Sequence, residues 1–110
     1  MAELRGLRFN ICLGTDSLAS NSSLSLFAEM QTVRDTHRGL GPERILEMVT
    51  TNCARALNQE NALGKIRAGF QADLIALPIA DQRGDIFEKI INWSETVAWM
   101  LVAGLPVPLA

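Results

Sequence analysis

The sequence has no tyrosine and a single histidine, His37. A catalytic zinc site uses about three protein ligands, mostly histidine, so this chain cannot build one from its own imidazoles. Cysteine is scarce too: Cys12 and Cys53 stand far apart, in unrelated contexts, each on an apolar face. Each reads as a buried reduced thiol, with a disulfide or a metal pair as the alternative. No apolar run approaches the ~20 residues of a bilayer span, so no membrane partner is expected. Lysines and arginines form no long cluster and the net charge is −2, which argues against a nucleic-acid footprint. Residues Met1 to Gly6 lack a signal-peptide layout, and a cytoplasmic location is expected.

What is present is ordinary globular material. Hydrophobic residues make up 48% and charged residues 20% of the 110 positions, enough for one small domain or a piece of a larger one. No internal repeat or low-complexity tract interrupts it.

The organising stretch is Leu13-Gly14-Thr15-Asp16-Ser17-Leu18-Ala19-Ser20-Asn21. Before it, Arg8 to Leu13 carries β-formers in partial alternation, which predicts a strand with Phe9, Ile11 and Leu13 on one face and Asn10 and Cys12 on the other. After it, Leu24, Phe27, Met30 and Val33 recur at helical spacing, with Ser22 or Ser23 as the cap and an end near Thr36–Arg38. A strand leading through a polar loop into a helix is a βα unit. Its one carboxylate, Asp16, sits where a parallel sheet or barrel presents side chains to a ligand.

Pro42 fits the first position of a second helix, running to about Leu57 and ended by Asn58-Gln59-Glu60-Asn61. Gly6 is a candidate stop for a short helix at the start of the chain. From Leu63 the pattern changes. A strand or turn is predicted at Lys65–Ile66, a strand at Asp73–Leu77 and a short helix at Asp85–Asn92. A strand over Val97–Ala103, a turn at Gly104 and a strand over Pro106–Leu109 suggest a hairpin with a loop longer than two residues. The chain thus divides into residues 1–58, which are βα-like, and 59–110, which are mainly β with one short helix.

Four motifs in order give a resemblance. Gly14-Thr15-Asp16-Ser17 with Ser20-Asn21 and the helix from Leu24 resembles the eighth strand and following helix of the amidohydrolase superfamily, in the branch holding chlorohydrolases and base and nucleoside deaminases. Thr51-Asn52-Cys53-Ala54-Arg55-Ala56-Leu57 resembles the next helix. Gly64-Lys65-Ile66, Gly69 and Ala72-Asp73-Leu74 resemble the entry to the family's small β-sandwich. Met100 to Val107 resembles its closing hairpin. The resemblance covers nearly the whole chain, but the family's paired metal histidines have no counterpart here.

The resemblance implies an α/β fold: the last βα unit of a (β/α)8 TIM-type barrel, plus C-terminal strands of a β-sandwich. It implies a parent enzyme, a zinc- or iron-dependent hydrolase of a C–N or C–Cl bond in an N-heterocyclic, purine- or nucleoside-like substrate. No metal is expected on this chain alone, and the chain by itself is expected to be inactive. The alternative is a catalytically inactive βα-plus-hairpin interaction module. The implied partners are a small-molecule substrate and the N-terminal portion of the barrel, with homo-oligomer formation left open.

Asp16 is the residue to which the resemblance assigns catalysis and metal contact, by taking a proton from the attacking water and passing it to the leaving group. Ser17, Ser20 and Asn21 either orient Asp16 or touch substrate, or else satisfy the loop backbone and cap the helix. His37 is expected at the exposed far end of its helix. Asp73 is expected to accept hydrogen bonds from turn amides. Trp93 and Trp99 are expected to pack, and Glu29 and Glu47 to be solvated.

Overall fold

The computed structural model describes residues 1–81 and 83–108. In chain order the elements are α1 (Ala2–Gly6), α2 (Leu26–Thr36), α3 (Pro42–Glu47), α4 (Thr51–Ala56), β1 (Leu74–Ala76), α5 (Ile86–Ile91), β2 (Trp99–Val102) and β3 (Leu105–Pro106). Helices α2, α3 and α5 pack on one another. The strands form a small antiparallel sheet in the order β1-β2-β3.

The core is made of Met30 from α2, Ile45 from α3, Ile91 from α5, and Leu40 and Met48 from the turns beside α3. Ile45 and Ile91 are fully enclosed. Burying a side chain of that size is worth roughly 1.5–3 kcal/mol. The α5 end is also tied to α2 by polar contacts: the Gln31 amide donates to the carbonyls of Ile91 and Trp93 at 2.9 and 3.2 Å. The Arg34 guanidinium reaches the Glu88 carboxylate at 3.2 Å. The helix predicted over Asp85–Asn92 is therefore present and does structural service for the first half of the chain. Its cap is Asp85, whose carboxylate accepts from the Phe87 amide at 2.9 Å.

Three expectations about the helices are corrected. The second helix is not continuous from Pro42 to Leu57. It breaks at Met48–Thr50, with Thr50 at φ −121°, ψ −93°. The Met48 carbonyl accepts from the Leu13 amide at 3.0 Å and from the Cys53 thiol at 3.0 Å, so it does not serve the next helical turn. The α2 cap is Ser25, not Ser22 or Ser23, and its hydroxyl accepts from the Ala28 amide at 3.4 Å. Helix α1 is stopped by Arg8 rather than Gly6. Arg8 has φ 61°, and the Arg8 and Phe9 amides donate to the Arg5 and Leu4 carbonyls, the two reversed bonds of a Schellman end. A residue with a Cβ held there costs about 1–2 kcal/mol.

The strand predicted over Arg8–Leu13 forms no ladder among the described residues. A parallel barrel strand needs a neighbouring strand to take its backbone groups, and among the described residues no strand runs beside it. Helices α3 and α4 take them instead. The Asn52 side-chain amide donates to the Ile11 carbonyl at 2.9 Å and the Leu13 backbone amide to the Met48 carbonyl at 3.0 Å, and the Asn10 side-chain amide adds a bond to the Asn52 carbonyl at 2.9 Å. Ile11 and Leu13 reach the core, while Phe9 stays 61% exposed, so the predicted common face is only partly realised.

Of the strand or turn expected at Lys65–Ile66 neither forms: the chain bends through Leu63–Lys65 and Ile66 lies outside any element. Gly64, at φ +90°, lies against α4: a Cβ there would meet the Ala54 Cβ at 3.0 Å and the Thr50 carbonyl oxygen at 3.1 Å. The strand predicted at Asp73–Leu77 shortens to β1. The hairpin is tighter than expected, a two-residue loop of Ala103 and Gly104 with φ of 53° and 78°. Positive φ at both positions is the I′ turn whose twist suits antiparallel strands. Alanine at its first position hides it from the sequence. The last predicted strand appears as Leu105–Pro106; Leu109 lies outside the described residues.

Asp73 does what its sequence position suggests. Its carboxylate accepts from the Ala103 amide at 2.8 Å and from the Gln71 amide at 3.0 Å. These bonds, the Ala103 one foremost, hold its pKa below the ordinary value. Trp99 is 46% exposed and does not pack as expected. The indole nitrogen of Trp93 is buried without a partner among the described residues.

Two outcomes test this description. Gly64→Ala is strained at φ +90° and clashes with α4, and is expected to cost about 1–3 kcal/mol in urea unfolding; an unchanged midpoint would contradict the close approach. A carboxyl with a depressed folded pKa stabilises above its unfolded value, and loses that contribution as pH falls through the folded pKa. Asp73→Asn is therefore expected to flatten the pH dependence of stability below about pH 4. In the parent protein, the Ala103 amide proton should titrate with the Asp73 carboxyl in NMR.

Candidate functional site

The loop from Gly14 to Ser25 connects the core-bound segment to α2, and its shape is set by side chains bonding to backbone. Asn21 is its hub. Its amide donates to the Thr15 carbonyl at 3.0 Å and to the Glu29 carboxylate on α2, and its oxygen accepts from the Ser23 amide at 3.4 Å. The Ser17 carbonyl accepts from the Ser20 and Asn21 amides at 3.1 and 2.9 Å. Ser23 adds a bond from the Ser25 amide at 3.0 Å.

Asp16 stands at the turn, exposed, with φ 55°. Aspartate is among the few residues with a side chain that enter the left-handed region readily. One carboxylate oxygen, Oδ2, accepts from the Ser20 hydroxyl at 2.7 Å. Oδ1 has no hydrogen-bond partner among the described residues. The group is thus fixed on one side and open on the other.

Of the residues singled out in the sequence, Ser20 bonds Asp16 directly, and Asn21 holds the loop on which Asp16 rides. The Ser17 hydroxyl makes no bond among the described residues. His37 ends α2, exposed, its amide donating to the Val33 carbonyl at 2.8 Å. Glu29 is not simply solvated: it is half-buried and ties the loop to α2 through Asn21. Its place in the first turn of a helix, just after an asparagine-bearing loop, is the signal that was available. Glu47 is likewise engaged, in an ion pair with Arg44 at 2.9 Å.

The cysteines are not in unrelated places. Both are free and half-buried, and the segment carrying Cys12 is bonded to the helix carrying Cys53. Burial pushes the Cys53 thiol pKa up, and the neighbouring Cys12 adds to the shift. Two half-buried thiols, that of Cys53 donating to the Met48 carbonyl, are packing groups.

Among the described residues, no three His, Cys, Asp or Glu side chains converge as a metal site. The donor set present, one carboxylate with one free oxygen, does not fit a complete zinc or iron centre. No helix among the described residues is long and apolar enough to cross a membrane.

Residues 2–98 match the amidohydrolase family. The chain belongs to the amidohydrolase family. Relatives include a 5-methylthioadenosine/S-adenosylhomocysteine deaminase of Saccharophagus degradans, 39% identical over 79 residues, which are 66% of this chain and 18% of that protein. A 5'-deoxyadenosine deaminase of Methanosarcina barkeri is 40% identical over 75 residues, 62% of this chain and 17% of that protein. Among solved structures, an adenosine deaminase from Xanthomonas campestris, crystallised with bound zinc, superposes with a TM-score of 0.85 at 27% identity. That match covers 94% of this chain and 26% of the other. This amidohydrolase chain therefore spans about a fifth to a quarter of the length of the proteins it matches. Its mixed helices and small antiparallel sheet correspond to part of a larger domain.

Asn21→Ala removes three loop bonds from a half-buried side chain, and leaves Glu29 without its partner. The expected cost is roughly 1–3 kcal/mol, with faster amide exchange at Ser20 and Asn21 than in α2. Unchanged exchange in the loop would show that Asn21 does not hold it.

Proposed function

We propose that this chain is the C-terminal portion of a metal-dependent amidohydrolase whose whole protein deaminates a purine- or nucleoside-like heterocycle. Water adds at a ring carbon, the carbon–nitrogen bond breaks and ammonia leaves. The observation that carries the reading is Asp16: an exposed carboxylate in the loop that leads into α2 of an amidohydrolase chain, held at Oδ2 by Ser20 and without a partner at Oδ1 among the described residues. The substrate class is supported by the relatives, whose names specify adenosine-type substrates. Hydrolysis of a C–Cl bond belongs to the same branch and is the less supported chemistry.

In this reading, residues 1–58 are the last βα unit and following helix of a (β/α)8 barrel, and 59–110 are the C-terminal part of a β-sandwich. Asp16 Oδ1 accepts a proton from the attacking water and returns it to the departing amine. Ser20 fixes the carboxylate rotamer, and Asn21 fixes the backbone beneath it. Ser17 is placed to meet substrate. A zinc or iron ion, when bound, would supply an acidified water; its ligand set must come from outside these residues, with Asp16 the single contact this chain offers.

The competing reading is a catalytically inactive, stand-alone βα-plus-hairpin interaction module, favoured by the lack of converging metal ligands among the described residues. One experiment separates the two: deamination of adenosine, 5'-deoxyadenosine and 5-methylthioadenosine by the whole protein and its Asp16→Asn variant. Proton-transfer catalysis predicts a kcat loss of about 10²- to 10⁴-fold at unchanged thermal stability. Equal rates would remove Asp16 from the mechanism, and an inert wild type would favour the module.

A further inference from the structure

The segment that ends at Asp16 begins, at Arg8, on the wall of a cavity of about 290 Å³. Four of the chain's ten lysines and arginines line it: Arg5, Arg8, Arg44 and Arg55, with Glu47 as the one carboxylate. Glu47 is occupied by Arg44 at 2.9 Å. Arg55 bonds only the neutral Asn10 side chain, at 3.3 Å. Among the described residues Arg5, Arg8 and Arg55 form no ion pair. A chain with net charge −2 thus concentrates three uncompensated guanidinium groups around one hollow.

Such an arrangement is unfavourable when empty, because like charges gathered on one wall repel. Its position is also backbone-determined. Arg8 sits in the left-handed conformation that ends α1, and Asn10 and Asn52 are cross-bonded beneath it. The arginines thus come from α1, α3, α4 and the segment that Asn52 ties to α4.

We propose that this cavity binds a small phosphate-bearing anion, at a site separate from the Asp16 loop. Arginine presents paired N–H donors that match phosphate oxygens two at a time, and it stays charged at all physiological pH values. The volume suits a phosphate group with a small substituent, and Phe9, 61% exposed on the same wall, offers that substituent an apolar surface. Carboxylate ligands would find the same charge but fewer oxygens. The proposal does not rest on the deaminase reading, since no residue assigned to that chemistry lines the cavity.

The test is calorimetric titration of the whole protein with inorganic phosphate, pyrophosphate and phenyl phosphate, with adenosine deamination followed in parallel. All three anions are expected to bind, more weakly as salt rises. Tighter binding of phenyl phosphate would identify a phosphomonoester as the ligand, and equal binding would identify free phosphate. Arg8→Gln and Arg55→Gln are expected to weaken binding about tenfold or more. Arg5→Gln, whose side chain makes no bond among the described residues, should do so without changing thermal stability. Glu47→Gln, which removes the only carboxylate, is expected to tighten binding, a gain that misfolding cannot mimic. No heat with any of the three anions, or wild-type affinity in all three arginine variants, would overturn the proposal whatever the deaminase assay shows.

Discussion

The Met48 carbonyl decides how this chain is put together. Left in a continuous helix it would accept from the amide four residues on. Instead it faces the Leu13 amide and the Cys53 thiol, and the helix stops. That one diversion has three results. It gives the apolar segment before Asp16 a backbone partner. It turns α4 so that Asn52 meets Asn10 and Ile11. It also leaves space beside Thr50 that only a glycine, Gly64, can fill at its observed approach. The candidate site is held by the same contact at one remove, because Asp16 lies three residues beyond Leu13.

Much of this was legible in the sequence, for identifiable reasons. Helices α2 and α5 are short amphipathic segments with their own polar caps, so local pattern and tertiary need agree. Asp73 was legible because a carboxylate ahead of a strand has few tasks besides holding turn amides. Asp16 stands out in the sequence through the motif around it, and the structure adds its exposure and the bond it accepts from Ser20. The features that escaped are all long-range. Nothing local distinguishes Met48 from any other helical residue, and its role depends on Leu13. The Cys12 and Cys53 neighbourhood, and Glu29 as anchor for Asn21, are likewise facts about pairs. The Arg8–Leu13 pattern was read as a strand because its residues favour extension, yet a strand is defined by partners.

The two charged features of the chain have opposite designs. Asp16 is a single negative group with one oxygen saturated and one exposed, on a loop whose backbone is tied down by Asn21. The arginine cavity is a set of positive groups whose backbone is fixed and whose side chains are largely unengaged. Both lie on one short segment, Arg8 at its start and Asp16 just past its end. Residues of left-handed conformation mark both places. That conformation reverses the chain at each end and leaves the stretch between them pressed against α3 and α4.

The placement of α5 between β1 and β2 along the chain has a kinetic meaning. The two strands pair in register from Leu74↔Leu101 to Ala76↔Trp99, so closing the sheet requires closing the loop that carries Ile91 into the helical core. Local nucleation is available only to the tight β2–β3 hairpin and to single helices. The β1–β2 pairing and the contacts of α5 with α2 and α3 are distant in sequence, and contacts of that kind form slowly. The small sheet is thus tied to the helical core through the chain that joins α5 to β1 and β2, since among the described residues no helix packs against a strand.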